Sequence, residues 1–217
     1  MAKDSARPLR ADARRNRDQI LAAAKRVFGA RGPDVPMEEI ARQAGVGIGT
    51  LYRRFPDRAS LVLAVAHDSF AKVLAEARAA VTEERSAWDA LVRVVRTSRE
   101  LQLSVHLTIL SPPVSPAALA DPEVAWLQRE LLVLLDALVL SAQREGTLRP
   151  DVGSGDVAAL LSLLLRPLGA PPGITSWQMS ERAMSLLLDS LRTPSNLTLP
   201  GEPMTLEDLN PGLTDGA

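Results

Sequence analysis

The run Gly45-Val-Gly-Ile-Gly-Thr-Leu-Tyr-Arg-Arg-Phe55 places glycines at three alternate positions, then two adjacent arginines between aromatic residues. Glycine turns beside cations suit phosphate, whether on a nucleotide cofactor or on a nucleic-acid backbone. A dinucleotide fingerprint needs G-x-G-x-x-G after a strand, and the spacing 45, 47, 49 does not supply it. A P-loop needs Gly-Lys-Ser/Thr, which this run lacks. A turn between two short helices explains each glycine. Gly45 follows a helix end, where positive φ is cheapest without a Cβ. Gly47 lets the chain reverse, and Gly49 lets the first turn of the next helix approach a surface closely. Helix, glycine turn, short helix is the helix-turn-helix pattern, whose second helix enters a DNA groove.

The residues after the turn fit that partner. Adjacent side chains on a helix diverge by about 100°, so one of Arg53 and Arg54 can enter a groove while the other reaches a phosphate. Leu51 and Phe55, four apart, hold the inner face. Thr50 and Tyr52 offer hydroxyls. Arg58 lies at the start of the next helix, whose exposed N–H groups already favour an anion. Arg10 and Arg14, in an arginine-rich leader with Arg7, Arg15 and Arg17, can track the backbone or a minor groove.

Charge distribution agrees. The 217 residues carry a formal charge of −1, but residues 1–58 hold 13 Lys and Arg against 7 Asp and Glu. The remainder holds 12 against 19, so a polyanion partner is expected for one end only. The chain has no cysteine, which excludes disulfides, thiolate metal sites and thiol redox chemistry. Its two histidines, His67 and His106, have no second ligand at metal spacing, and no catalytic Ser/His/Asp set can be assembled. No cofactor or metal is expected. No apolar run reaches the roughly 18 residues of a membrane span, so a cytoplasmic protein without membrane contact is expected.

The elements that must position these residues read as helices throughout. Apolar residues recur at helical spacing over about 10–30, 37–44, 48–55, from 57 through the eighties, 86–110, 121–145, 156–165 and 176–191, with no convincing strand. The helix over 121–145 is apolar nearly all round, which predicts a buried, central position. From Thr193 the chain turns rich in Pro, Gly and Thr, with four acidic residues and no basic ones, and reads as a flexible acidic tail.

Residues 14–66 resemble the DNA-binding domain of the TetR family of bacterial regulators. The run IARQAGVGIGTLYRRFPDRASLVLAV matches the family's I-A, then A-G-V, then G-T-L-Y, an aromatic, a basic residue and L. The resemblance implies that Gly47, Ile48, Gly49, Thr50, Tyr52, Arg53, Arg54 and Arg58 touch DNA. Three departures stand out: Val35-Pro36 replaces a Ser/Thr pair before the second helix, Gly47 replaces a common serine, and Arg58 replaces lysine. The rest of the chain resembles the family in layout alone: a variable helical domain for ligand and dimer. Phe70, Trp88 and Trp126 fall on the three helices that, by that resemblance, enclose an effector cavity, and His106 is a candidate polar group in it; plain core packing accounts for each as well.

Two short helices are too apolar for the surface of a lone protomer. Leu160, Leu161, Leu164 and Leu165 on one, with Met184, Leu187, Leu188 and Leu191 on the other, predict a four-helix bundle with a second copy. The expectation is an all-α protein. Residues 1–58 form an arm and helix-turn-helix domain (motif about 36–55), 59–192 a helical effector-binding and dimerisation domain, and 193–217 the tail. Its function would be a ligand-responsive repressor, not an enzyme, binding a palindromic double-stranded operator as a homodimer. The alternatives are a regulator without an effector, an activator, or a helical ligand-binding protein or enzyme.

Overall fold

The apolar stripe of residues 20–28 winds into α1 (Ala6–Arg31) and buries Ile20, Leu21, Ala23, Ala24, Val27 and Phe28. The computed structural model describes residues 6–31, 34–101, 121–165, 176–193 and 199–209, of which 6–13, 30, 176, 177 and 209 are described as backbone only. The chain divides into two units, Met1–Asp68 with Leu103–Asp121, and Ser69–Gln102 with Pro122–Ala217.

In the first unit α1 packs on α2 (Met37–Ala44), and α2 on α3 (Ile48–Arg54). Their shared core adds Val35, Met37, Ile40, Leu51 and Phe55 to the α1 stripe, together with Leu61, Val62 and Val65 from the start of α4 (Arg58–Glu83). Asp57 caps α4: its Oδ1 accepts from the Ser60 N–H at 2.7 Å, and the Ser60 hydroxyl donates back to the Asp57 carbonyl at 2.7 Å. Lys25 on α1 pairs with Asp68 on α4 at 2.9 Å.

The second unit takes in α5 (Ala87–Thr97), α6 (Pro122–Arg144), α7 (Ser154–Leu164), α8 (Ser176–Ser190) and the four-residue α9 (Leu206–Leu209). Ser86 caps α5 through the Asp89 N–H, and the Glu145 carboxylate accepts from the Ala87 N–H at 3.0 Å. The fifth helix was expected to run to about 110, but α5 stops at Thr97 and tightens into a 3-10 turn, Ser98–Leu101. The Ser98 hydroxyl sits at the stop. It is buried and donates to the Val95 carbonyl at 2.6 Å, a local bond that competes with helix continuation. Among the described residues there is no strand, only an isolated bridge between Leu148 and Arg192 that ties the α6–α7 connection to the end of α8.

Helix α6 is not enclosed on all sides as its composition implied. Val124, Leu127, Leu135, Leu138, Val139 and Ala142 are buried, while Trp126, Val133 and Leu140, seven apart, face outward. An apolar face proves only that something can cover it, not that its own protomer does. The tail also departs from expectation over 199–209. There the backbone of Met204 and Thr205 lies against Gly153 and Gly155 at the start of α7, and the Gly155 N–H donates to the Met204 carbonyl at 2.8 Å.

Candidate nucleic-acid interface

The geometry of the glycine run begins at the end of α2. Gly45 has φ 67°, and the Val46 N–H returns to the Ala41 carbonyl at 3.1 Å, closing the helix as a left-handed cap. A side chain at Gly45 would be strained, so this glycine serves the turn. Gly47 and Gly49 do not. Gly47 sits at φ −66°, ψ 145°, extended backbone open to any residue, so the sharp reversal expected of it is not what it provides. Gly49 is helical. A Cβ at either position would meet nothing within 4 Å. The fold does not need these two glycines, and their bare, exposed backbone suits a surface that another molecule approaches.

Packing aims α3 outward. Leu51 is fully buried and Phe55 nearly so; burial of such side chains contributes about 1.5–3 kcal/mol each. With those two fixed inward, the helix turns Ile48, Gly49, Tyr52, Arg53 and Arg54 to solvent, and Thr50 is half-buried. An Arg53 Nη2–H donates weakly to the Thr50 hydroxyl at 3.4 Å, so the guanidinium lies along the exposed face of the helix. Arg14 is exposed on α1. Arg10 belongs to α1, but its side chain lies outside the described residues.

Arg58 has a different setting. Its guanidinium is half-buried and donates to the Val35 carbonyl at 2.6 Å, fastening the start of α4 to the segment before α2. Sequence reasoning assigned Arg58 to phosphate and noted the missing hydroxyls at Val35-Pro36. The structure joins those two departures in one hydrogen bond, which no local signal announces because the partners are 23 residues apart. On α2, Glu39 accepts from both Arg42 Nε at 3.1 Å and Nη2 at 2.7 Å, and from Gln43 at 3.3 Å. The Arg42 guanidinium, and secondarily Gln43, holds the Glu39 carboxyl below the usual carboxylate range. This acidic group is thereby neutralised on the helix that precedes the turn.

The expected effector residues differ in their exposure. Phe70 and Trp88 are buried, Trp126 is 49% exposed, and His106 lies outside the described residues. Trp88 borders a shallow groove of about 280 Å³ between α5 and α8, shared with Arg96, Leu188 and Asp189, and the Arg192 guanidinium covers its ring at 5.1 Å. The expected dimer residues also differ in exposure within the protomer. Leu161, Leu165, Met184, Leu187, Leu188 and Leu191 are buried within their own unit, Leu164 is half-buried and Leu160 is exposed. The leucines most open to solvent on these helices are Leu163, at 56%, and Leu186, at 66%, neither of which the spacing singled out. Leucine at five of six positions from 160 to 165 leaves periodicity no polar face to orient by.

Comparison with known proteins follows the same division. Residues 20–65 match the family described as bacterial regulatory proteins, tetR family. An HTH-type transcriptional regulator of Staphylococcus aureus (strain USA300) is 41% identical over 54 residues, which is 24% of this chain and 29% of that relative, so the match spans less than a third of the relative's length. The TetR transcription regulatory protein from Mycobacterium vanbaalenii has a similar solved structure, with 35% identity over 86% of this chain and 100% of that one, at a TM-score of 0.63. The TetR-like transcriptional regulator LfrR from Mycobacterium smegmatis, solved with proflavine, is 27% identical over 86% of this chain and 99% of that one, at 0.55.

Proposed function

The chain belongs to the TetR family of bacterial transcription regulators, and from that premise we propose that it is a homodimeric repressor whose α3 helices read a palindromic operator. The observation that carries this reading is the outward face of α3: two glycines the fold does not require, flanked by exposed Tyr52, Arg53 and Arg54 on a helix pinned from behind by Leu51 and Phe55. The protein acts by binding rather than by catalysis, and it does so in the cytoplasm.

Arg53 reads a base edge in this account, while Arg54, Tyr52, Thr50 and the α1 arginines hold phosphates and set the register. Selection of bound duplexes from random DNA should enrich a twofold sequence. Arg53→Ala should then cost about 1–3 kcal/mol on that sequence and relax preference at one position of each half-site. An equal loss on every sequence would show that Arg53 holds a phosphate instead.

In the second unit a small molecule sets the affinity for DNA. The proflavine complex of LfrR supports this reading, as do the buried aromatics Phe70 and Trp88. Helix α4 is one unbroken element from Arg58 to Glu83, following α3 by a three-residue connection. A ligand that favours one setting of α4 lowers operator affinity by its differential affinity for the two settings, typically about 1–3 kcal/mol.

A further inference from the structure

Two glycines at the start of α7 have a purpose that the turn chemistry of glycine does not explain. Neither Gly153 nor Gly155 has positive φ, yet a Cβ on Gly153 would overlap the Met204 carbonyl, and one on Gly155 the Thr205 carbonyl. Together they form a notch that admits an extended backbone. The segment 199–209 lies in it. The Gly155 N–H, an orphan donor of the first helical turn, donates to the Met204 carbonyl at 2.8 Å. The Asp156 carboxylate accepts from both the Gly153 N–H at 2.8 Å and the Met204 N–H at 3.0 Å, so one side chain caps the helix and grips the segment. Asp151 is forked by Arg149 at 2.6 and 2.8 Å and accepts from the Leu199 N–H at 3.3 Å. Beyond the notch, Thr205 and Asp208 cap α9 through the Thr205 N–H at 2.8 Å.

We propose that residues 199–209 are a strap whose seating between Gly153 and Gly155 locks the first turn of α7, and that subunit pairing depends on the strap although no strap residue pairs. The dependence follows from the position of α7. Leu160 and Leu163 lie on its exposed face, a little over one and two turns from the notch, and a helix whose first turn frays presents that face less often. The coupling to pairing rests on the reading that this face meets a second copy; the seating of the strap does not.

Two variants of the full protein test the proposal. Gly155→Ala keeps the segment attached but fills the notch, and a chain ending at residue 198 removes the segment but leaves the notch. In both, hydrogen exchange of the α7 first-turn amides should quicken at least tenfold while α1–α3 stay as protected as before. The subunit dissociation constant, by sedimentation, should rise at least tenfold, and a synthetic peptide of residues 199–209 should reverse both changes in the shortened chain. Unchanged α7 exchange in both variants would overturn the strap. Faster exchange with unaltered pairing would overturn its coupling to the dimer. Loss of protection throughout α8 as well would show the segment to be ordinary core and also count against the proposal. A wild-type chain that is monomeric at every concentration would defeat the pairing reading, and the coupling with it, while α7 exchange would still decide whether the strap exists.

Discussion

Gly49→Leu will leave the protein folded and remove its operator binding. A Cβ at residue 49 meets open space, so the substitution starts from no steric clash. Leucine is also the better helix former by about 0.5–1 kcal/mol, and the urea midpoint should hold or rise slightly. The side chain nonetheless stands between the α3 backbone and any groove it enters. Hydrogen bonds from Arg53 to a base edge tolerate only a few tenths of an ångström, and each bidentate pair is worth about 1–3 kcal/mol. With both half-sites lifted, the loss should reach about 2–6 kcal/mol. Operator affinity unchanged in a folded Gly49→Leu protein would show that this face of α3 does not meet DNA.

Leu163→Asp combined with Leu186→Asp should separate the subunits without unfolding them. Both side chains are mostly exposed in the protomer, so the carboxylates stay hydrated there and become costly only when a second copy covers them. Leu187→Asp, one residue from Leu186 but buried, should instead unfold its unit, because that carboxylate would enter the protomer's own core. In the proposed dimer the recognition helices sit about 34–36 Å apart, one turn of DNA. Once the subunits separate, each half-site binds alone and the advantage of tethering is lost, so operator affinity should drop at least a hundredfold, about 3 kcal/mol. Light scattering reports the first effect and operator titration the second. A double variant that remains dimeric, or a monomeric one that binds the full operator as before, would move the subunit contact elsewhere.

Local chemistry made the DNA-reading unit legible from sequence. Gly45 as a helix stop and the Leu51–Phe55 pair each act within a few residues, and each has that role in the structure. The expectation for Gly47 went astray because a glycine in a turn invites a backbone explanation, whereas its ordinary φ leaves exposure as the explanation. Non-local contacts were hidden. Arg58 finds Val35 across 23 residues, and Gly155 is met by Met204, which lies in a tail whose composition suggests no packing. The leucine helices were legible as apolar, but the exposed Leu163 and Leu186 were not singled out, since a helix with leucine on nearly every side carries no mark of which side its own core takes. The exposure of Trp126 on α6 was hidden for the same reason.

The most direct test of the central claim, that the α3 face binds operator DNA specifically through a phosphate-anchored contact, is the salt dependence of binding to the selected operator and to a scrambled duplex of equal length. If each subunit makes about four or five phosphate contacts, log K against log salt should fall with a slope of roughly −7 to −9. At physiological salt the operator should bind at least about a thousandfold more tightly than the scrambled duplex. A slope near zero, or equal affinity for the two duplexes, would contradict the account.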